Sequence, residues 1–333
     1  MPSETRVSIR PSIASITTAY NAERTLPRQI DALLGQTRAL QEIIVVDNAS
    51  NDGTCALVAE RYPHLTVLRM PENLGAAGAW AAGLTYAVTQ KRHDWVWSFD
   101  DDTTPQPDAL ERLVAGIERL ERAEPNIGIA AGLAFNRDGD CYPPILWRNG
   151  FVKPTPSLLE QAQWFADLVI ASGSLLRREV VETIGVPRAD FFMDVFDFEY
   201  CLRARSAGYK IAVISSAKLN HEIGRSRRIN LPGYKRLWMS QPPWREYYIS
   251  RNLTYLAWWL HANRQTKLYV TRYLSIHAVQ MLLFGSRRFA CLAKMAQGVR
   301  DGLRASLGIR FRPSPASPGQ DTQMARAAAE GRV

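Results

Sequence analysis

The first 133 residues alternate between short runs rich in apolar and β-branched residues and longer segments in which apolar residues recur at helical spacing. The run at 42–46 is continuously apolar, which is typical of a strand buried on both faces. Strands are predicted at 13–20, 42–46, 65–69, 95–99 and 127–133, with helices at 24–34, 54–62, 74–89 and 107–122. This alternation predicts an α/β fold with a doubly wound, mainly parallel sheet and right-handed crossovers.

The pattern changes further along the chain. Residues 135–165 contain four prolines and are interpreted as a long surface insertion. Regular patterning returns at 168–177, 196–207 and 209–214, and residues 244–312 contain long stretches that predict helices. The tail from residue 313 is rich in proline, serine and alanine, which predicts disorder.

Charge is unevenly distributed along the chain. Residues 203–312 contain 21 basic and three acidic residues, a net charge of +18, whereas the remainder carries −9. A basic surface of this kind suits an anionic membrane, a phosphorylated substrate or nucleic acid.

The four cysteines are far apart and form no CxxC pair, which argues for reduced thiols in a cytosolic protein and against a disulfide framework or zinc site. The first six residues contain no apolar stretch and the chain has no 18-residue apolar run, so neither a signal peptide nor a membrane span is predicted.

Three consecutive carboxylates, Asp100, Asp101 and Asp102, directly follow the apolar run at 95–99. Adjacent carboxylates repel each other unless a cation or a proton compensates them. At the carboxyl end of a strand in an open α/β sheet, where ligands bind, they indicate a divalent metal, and oxygen ligands favour Mg²⁺ or Mn²⁺. The alternative is a solvated turn in which an aspartate caps the following helix.

The ends of the first two predicted strands carry groups that suit a planar base. Thr18 and Tyr20 end the first strand and Asp47 ends the second, and these strand ends are expected to be neighbours in a parallel sheet. An aromatic ring can stack on a base such as uracil, and a carboxylate can accept a hydrogen bond from the ring N–H. The alternative is that these are ordinary turn residues.

A run of small residues at 72–83 contains Asn73 and Gly75 near its start. Glycines at the start of a helix allow the backbone to approach a ligand, and the free N–H groups there attract phosphate. The spacing matches neither the dinucleotide fingerprint nor the P-loop. Close packing of the helix on the sheet is the alternative, and it accounts for Gly83 whatever the function.

Two further candidates lie downstream. Asp197 is at the predicted start of a helix, between two phenylalanines, where a partly desolvated carboxylate could act as a general base or simply cap the helix. Glu199 and Arg203 have the i,i+4 spacing of a helical ion pair. His221 follows the predicted strand at 209–214, and it acquires a function only if folding brings it to the acidic trio.

Taken together and in this order, seven segments resemble the inverting family 2 glycosyltransferases, which have a GT-A fold. The resemblance covers residues 12–224, and within the family it is greatest to bacterial rhamnosyl- and galactofuranosyltransferases that build cell-surface glycans. The segments are TTAYN, IIVVDNASNDGT, ENLGAAGAW, FDDDTTP, SGSLLRREV, FDFEYCLRARSAGYKI and NHEIG.

The resemblance implies roles on the donor side. Thr18, Tyr20 and Asp47 would hold the pyrimidine. Asn73 and Gly75 would approach the ribose and the diphosphate.

The resemblance also implies a metal site. Asp100 and Asp102 match the DxD motif, which holds the metal and the nucleotide. Because the residue between them is also acidic, Asp101 is a further candidate contact for the nucleotide sugar. His221 matches a histidine that completes the metal shell in some members. The implied cofactor is Mn²⁺ or Mg²⁺.

On the acceptor side, Asp197 matches the catalytic base of the family. Phe196 departs from the family pattern, since many relatives carry a second acidic residue there. Glu199 is implied to be either a structural neighbour of the base or an acceptor contact, and Gly173 is implied to be an acceptor contact.

The implied activity is metal-dependent, inverting transfer of a sugar from a UDP- or dTDP-sugar, with rhamnose or galactofuranose as candidates. The acceptor would be a glycan or a polyprenyl-diphosphate-linked glycan in cell-surface polysaccharide synthesis. Two alternatives remain at this point: a nucleotidyltransferase that makes a nucleotide sugar, and a non-catalytic protein that binds glycan or nucleic acid. The acidic sheet edge argues against nucleic acid as a partner, and the sequence contains no indication of the oligomeric state.

The predicted organisation is a GT-A catalytic domain at 1–224, a basic helical region at 225–312 and the tail at 313–333. The catalytic domain divides into a nucleotide-sugar part (12–133) and an acceptor and catalytic part (134–224).

In the basic region, residues 247–260 and 269–284 are apolar with interleaved basic and aromatic residues. Such helices can lie on an anionic bilayer. We therefore expect a cytoplasmic protein, peripheral on the inner face of the cell membrane; the alternative is that these helices pack on the catalytic domain.

Overall fold

The structure is a computed structural model that describes residues 11–221, 226–231, 234–239, 241–285 and 287–313. The predicted disordered tail lies outside these residues, apart from its first residue. So do residues 1–10 and residues 222–224 of the last family-like segment.

The first part of the chain forms the alternating units that its apolar pattern predicts. The helix that begins at Gly75 extends to residue 90 through a π-helical turn, Tyr86–Gln90. The elements are β1 (Ile13–Ala19), α1 (Leu26–Leu34), β2 (Glu42–Asp47), α2 (Thr54–Arg61), β3 (Thr66–Arg69), α3 (Gly75–Thr85), β4 (Trp95–Asp100), β5 (Thr103–Pro105), α4 (Ala109–Glu121) and β6 (Ile127–Phe135).

The second part of the chain contains shorter strands and then long helices. Its elements up to the last strand of the large sheet are β7 (Cys141–Tyr142), β8 (Leu146–Trp147), β9 (Phe151–Val152), α5 (Pro156–Leu159), β10 (Gln163–Ala166), β11 (Ser174–Arg177), α6 (Arg178–Ile184), a 3₁₀ turn (Ala189–Phe191), α7 (Phe196–Ser206) and β12 (Lys210–His221). They are followed by β13 (Ser226–Leu231), β14 (Tyr234–Met239), α8 (Pro243–Tyr255), a π-helical turn (Leu256–Leu260), α9 (Arg264–Phe284) and α10 (Arg288–Leu303).

One large, mixed sheet organises the molecule. Its main path runs β10–β12–β6–β11–β4–β1–β2–β3, with β5 and β7 attached to β12 and β6. Strands β4, β1, β2 and β3 are parallel to one another, as predicted. The sequence pattern did not predict that β11 runs antiparallel between β4 and β6. The fold is of the predicted α/β, mostly parallel type.

Strand register brings several candidate site residues, among them Thr18, Asp100 and His221, to one edge of the sheet. Thr18 at the end of β1 pairs with Asp100 at the end of β4, and Ala19 pairs with Asp47 at the end of β2. On the other side, β5 pairs with the end of β12, so that His221 lies opposite Thr103. The carboxyl edge therefore collects groups that are up to 200 residues apart in the chain.

The sheet is buried on both faces, which explains why its central strands are mostly apolar, with the few polar side chains, such as Thr17 and Ser98, also buried. In β4, Val96 is fully buried with the α3 layer, whereas Trp97 and Phe99 pack with the α4 layer on the opposite face. Full burial of a large apolar side chain contributes about 1.5–3 kcal/mol. Two apolar layers therefore hold the carboxyl edge in place.

The insertion predicted at 135–165 is not wholly irregular. It contains the short strands β7 to β9, the single turn α5 and most of β10. Ile145 forms a bridge with Leu168, which ties the insertion to the segment that follows β10. Its prolines limit the length of these strands because proline cannot donate to a strand ladder.

The two apolar segments of the basic region differ in their surroundings. Most of residues 247–257 in α8 and its π-helical extension are buried, including Tyr247, Tyr248 and Arg251. Helix α10 lies close against α8, since a Cβ at Gly298 would lie 2.3 Å from the carbonyl oxygen of Tyr247. Residues 247–257 of the first segment therefore pack inside the protein, as the alternative predicted, whereas Trp259 is 54% exposed.

Helix α9 presents a different face. Leu268, Val279 and Leu283 are 68%, 54% and 67% exposed. In the described part of the chain, however, no helix combines the length and the apolar character needed to cross a bilayer.

Candidate active site

A cavity of about 700 Å³ opens at the carboxyl edge of the sheet. Its wall includes the ends of β1, β4 and β12, the start of α3, the loop before α7, the insertion, and parts of helices α8 and α9. Of the predicted site residues, those that line it are Thr18, Tyr20, Asn73, Gly75, Asp100, Asp101, Asp102, Asp197 and His221.

Two carboxylates and one imidazole meet on one wall of the cavity. Nε2 of His221 lies 3.2 Å from Oδ1 of Asp102 and 3.8 Å from Oδ2 of Asp100. The possible ligand atoms of the three residues all lie within 4.8 Å of one another. Pairing between β5 and β12 creates this arrangement, because it places His221 beside the turn that follows β4.

The three residues fit a hard divalent cation. Carboxylate oxygens are the ligands that Mg²⁺ and Mn²⁺ prefer, and a neutral imidazole suits Mn²⁺ as well. Burial raises the pKa of Asp100 above its usual range, and the charge of Asp102 adds to this, although His221 opposes it. Negative charge at this position therefore requires a positive partner.

Asp101 faces a different part of the cavity from its two neighbours. Its Oδ2 accepts a 3.4 Å hydrogen bond from the backbone N–H of Tyr20. Burial, together with the charges of Asp102 and Asp100, raises the pKa of Asp101 to about 7. The structure thus separates Asp101, on the Tyr20 side, from the cluster of Asp100, Asp102 and His221.

Asp47 is the predicted donor-side residue that does not line the cavity. It is buried, with Oδ1 accepting from the N–H of Ser50 at 3.2 Å and Oδ2 accepting from the thiol of Cys55 at 2.9 Å. Its neighbour Asn48 lines the cavity. Asn48 belongs to no recognisable motif, and only its position directly after a strand-ending aspartate indicates a place at the site.

Asn48 orders the turn that begins helix α3. Its Nδ2 donates to Oδ1 of Asn73 and to the carbonyl oxygen of Gly75, both at 3.2 Å, and its Oδ1 accepts from the N–H of Leu74 at 2.8 Å. Gly75 has φ +73°, and a Cβ there would lie 2.1 Å from the carbonyl oxygen of Phe192. Glycine is required at this position both for its backbone conformation and for space.

Asp197 lies in the first turn of α7 and faces the cavity. Its Oδ1 accepts from the N–H of Phe198 at 2.9 Å, which holds the carboxylate at the start of the helix. Burial raises the pKa of Asp197 to about 7, and the charges of Asp194 and Asp100 act in the same direction. A carboxylate with such a pKa can accept a proton near neutral pH.

The two predicted acceptor contacts are not on the cavity wall. Glu199 is buried and forms a two-pronged ion pair with Arg203, with distances of 3.0 and 3.1 Å. Gly173 lies beneath the wall, where its carbonyl oxygen accepts from the indole N–H of Trp97 at 3.1 Å. The adjacent Ser172 does line the cavity and accepts from the N–H of Asp100 at 2.9 Å. The i,i+4 spacing of Glu199 and Arg203 thus indicated their actual structural role.

Helix α8 supplies a cavity residue that sequence reasoning missed. The guanidinium of Arg245 forms a bidentate ion pair with the carboxylate of Asp194, at 2.9 and 3.0 Å. The charge of Asp194 raises the pKa of Arg245, which stays protonated. The insertion and α9 add aromatic rings to the same cavity, from Tyr142, Phe151 and Tyr273. These residues have no local motif that identifies them.

A family model described as Glycosyl transferase family 2 matches residues 15–185, which span the ends of β1, β2 and β4 and the start of α3. The chain belongs to this family. The glycosyltransferase interpretation of the sequence is therefore confirmed, in preference to a nucleotidyltransferase or a non-catalytic binding protein.

Two relatives illustrate where this glycosyltransferase lies within the family. The dTDP-rhamnosyl transferase RfbF of Shigella flexneri is 24% identical over 304 residues, covering 89% of this chain and 97% of RfbF. The galactofuranosyltransferase GlfT1 of Mycobacterium tuberculosis is 31% identical over 224 residues, covering 64% of this chain and 71% of GlfT1. The predicted resemblance to rhamnosyl- and galactofuranosyltransferases is confirmed.

Solved structures share the fold. GalNAc-T7 with UDP, GalNAc and Mn²⁺ has a TM-score of 0.59 at 16% identity, covering 88% of this chain and 56% of that one. S. aureus TarS 1-349 in complex with UDP-GlcNAc has a TM-score of 0.53 at 16% identity, covering 89% and 83%. The glycosyltransferase thus has a GT-A-like fold.

The Gly75 turn generates the first testable prediction. Gly75→Ala should destabilise the protein more than Gly208→Ala, although both glycines have positive φ, because nothing lies within 4 Å of a Cβ at Gly208. The conformational cost is about 1–2 kcal/mol for each variant. The contact with the carbonyl of Phe192 should add about 1–3 kcal/mol for Gly75→Ala alone. Urea denaturation of the two variants measures the difference, and equal losses would contradict the close approach.

Proposed function

We propose that the protein is a metal-dependent, inverting glycosyltransferase that uses a UDP- or dTDP-sugar. The observation that supports this most directly is a single cavity that is lined by the Asp100–Asp102–His221 cluster and, separately, by a carboxylate whose pKa is about 7. The family and the names of the relatives make rhamnose and galactofuranose the first donor sugars to test. The acceptor is a glycan or a polyprenyl-diphosphate-linked glycan, as needed in cell-surface polysaccharide synthesis.

On the donor side, the base would lie against Thr18, Tyr20 and Asn48, with Asp47 behind them. The start of α3, at Asn73 and Gly75, directs backbone toward the ribose and diphosphate. Asp100, Asp102 and His221 would hold Mn²⁺ or Mg²⁺. A bound cation would neutralise the negative charge that builds up on the leaving diphosphate.

On the acceptor side, Asp197 would remove the proton from the attacking hydroxyl group. The acceptor oxygen forms a bond to the anomeric carbon as the bond from that carbon to the diphosphate oxygen breaks. The proton stays on Asp197 and the electron pair leaves with the nucleoside diphosphate. A single displacement of this kind inverts the anomeric centre and requires no nucleophile from the protein.

A donor screen tests the proposal directly. Thermal shift with Mn²⁺ should detect stabilisation by dTDP-rhamnose or UDP-galactofuranose, and the stabilising donor should then transfer its sugar to a polyprenyl-diphosphate-linked glycan. NMR of the product reports the anomeric configuration. Retention of configuration, or transfer of a nucleotidyl group with release of pyrophosphate, would rule the proposal out.

Asp197→Asn should lower kcat by about 10²- to 10⁴-fold, because the amide cannot accept the proton. Donor affinity, measured by calorimetry, should not change. In the wild type, kcat should rise with pH through about 7, because the base works only when deprotonated and burial raises the pKa of Asp197 to about 7. The exposed Asp138 provides a matched control as Asp138→Asn. Full turnover by Asp197→Asn would remove this residue from the mechanism.

Asp102→Ala should weaken metal-dependent donor binding by at least about tenfold, since even indirect metal-site changes cost that much. Calorimetric titration of the nucleoside diphosphate with Mn²⁺ measures the loss. In the presence of EDTA the variant and the wild type should bind equally, because the difference arises from the cation. Equal affinity in the presence of Mn²⁺ would instead place the metal elsewhere.

The exposed face of helix α9 is the proposed site of peripheral membrane contact. Leu268, Val279 and Leu283 recur on one side of the helix, and Phe289 at the start of α10 is 73% exposed. No acidic residue occurs between residues 247 and 300, whereas five basic residues lie between 264 and 288. An anionic bilayer complements both the apolar residues and the charge, and each basic residue near such a surface contributes about 1 kcal/mol.

Leu283→Glu should abolish flotation with phosphatidylglycerol vesicles at physiological salt, whereas the wild type should float with them and not with phosphatidylcholine vesicles. Leu34→Glu on α1 is the matched control, because Leu34 is 48% exposed and should not affect binding. Failure of the wild type to bind, or a dimer in solution that Leu283→Glu converts to monomer, would reject the membrane as the occupant of this face.

A further inference from the structure

Residues 190–195, which precede the proposed base, have an unusual backbone and are called the strained segment below. Phe192, Asp194 and Val195 have φ values of +63°, +60° and +68°, and none of them is glycine. Such values are rare for bulky residues and are an outlier for a β-branched residue such as Val195. Conformations of this kind persist only where surrounding contacts impose them, and they concentrate at functional sites.

Asn252 of helix α8 supplies several of those contacts. Its Nδ2 lies 3.1 Å from the carbonyl oxygen of Phe191, 2.7 Å from that of Met193 and 2.9 Å from that of Asp194. The side chain is fully buried, and its Oδ1 accepts from Nε of Arg251 at 2.9 Å. One amide thus reaches the backbone of three residues in the strained segment.

Two arginines of the same helix also contact the strained segment, one near its start and one near its end. Nη2 of Arg251 donates to the carbonyl oxygens of Asp190 and Phe191, at 3.1 and 2.8 Å. Arg245 forms its bidentate ion pair with the carboxylate of Asp194 at the cavity wall. Helix α8 therefore contacts the strained segment from its start to the residue three positions before Asp197.

The strained segment also contacts the donor side of the cavity. The carbonyl oxygen of Phe192 accepts from the N–H of Ala77 in the first turn of α3 at 3.1 Å. The same oxygen occupies the space that Gly75 leaves open. The other end of the strained segment leads into α7, since Val195 directly precedes the first residue of that helix. A shift in this segment would therefore move Asp197 relative to the start of α3.

We infer that Arg245, Arg251 and Asn252 are positioning residues for the transfer reaction: through the backbone of residues 190–195 they set where the Asp197 carboxylate lies relative to the donor. This inference rests on the proposed function for the role of Asp197. It also means that helix α8, which lies outside the segment matched by the family model, is part of the catalytic apparatus. A purely structural role for these side chains would affect the stability of the whole protein and not kcat in particular.

Asn252→Ala is the decisive variant, and Asn263→Ala is its matched control, because Asn263 caps α9 through the N–H of Thr266 and lies outside the cavity wall. Asn252→Ala should lower kcat by about 10- to 100-fold, the scale expected for a small misplacement of reacting groups, with donor KM within about twofold of wild type. Hydrogen exchange measured by mass spectrometry should quicken in residues 190–197. Asn263→Ala should leave kcat and that exchange unchanged.

Arg245→Gln provides a second variant if Asn252→Ala does not fold, because it removes the ion pair with Asp194 and leaves the contacts of Arg251 and Asn252 in place. It should also quicken exchange at residues 190–197 and lower kcat. Folded variants that retain wild-type kcat, or that lose kcat only in proportion to folded protein, would overturn the inference. If the wild type transferred no sugar from any donor, the proposed function would fail instead, while unchanged exchange at 190–197 in both variants would refute the α8 contacts separately.

Discussion

The concentration of carboxylates at one edge of the sheet is the constraint on which the rest of the site depends. Asp100, Asp101, Asp102 and Asp197 line a single cavity, and burial raises the pKa of three of them. Desolvated like charges cannot all ionise together without compensation. The protein supplies His221 and Arg245, and the Asp100–Asp102–His221 cluster leaves room for a divalent cation. A site built this way suits a substrate that brings a diphosphate together with its metal.

The basic C-terminal region has two distinct relationships with this site. Arg245, Arg251 and Asn252 of α8 turn inward, and their donors satisfy carbonyl oxygens or a carboxylate near the cavity. The exposed apolar and basic residues of α9 and α10 turn outward. A lipid-linked acceptor held at a membrane surface would then approach a cavity whose wall includes Tyr273 of α9. Under these two proposals, one basic stretch of the chain would serve both catalytic geometry and attraction to a surface.

Local pattern was enough to predict most of the parallel sheet, because strands buried on both faces are mostly apolar. It also indicated Asp100, Asp102, Asp197 and His221 as separate candidates, and the resemblance to the family implied that Asp100, Asp102 and His221 form one metal site. It did not predict that Asp47 and Glu199 contact Cys55 and Arg203 and lie off the cavity wall. It missed Asn48 and Arg245 altogether, because a single asparagine or arginine has no periodicity and its partners lie elsewhere in the chain.

The sequence by itself determined the class of fold, the family and the edge of the sheet at which chemistry takes place, because these depend on apolar periodicity and on motifs of a few adjacent residues. Only the tertiary structure decided that His221 meets the acidic trio, that residues 247–257 are buried, and that α8 contacts the strained segment before Asp197. Each of these depends on contacts between residues that are 50 or more positions apart in the chain. Such contacts form only when the apolar layers bring separate elements together, and no local pattern encodes which side chain will then face which.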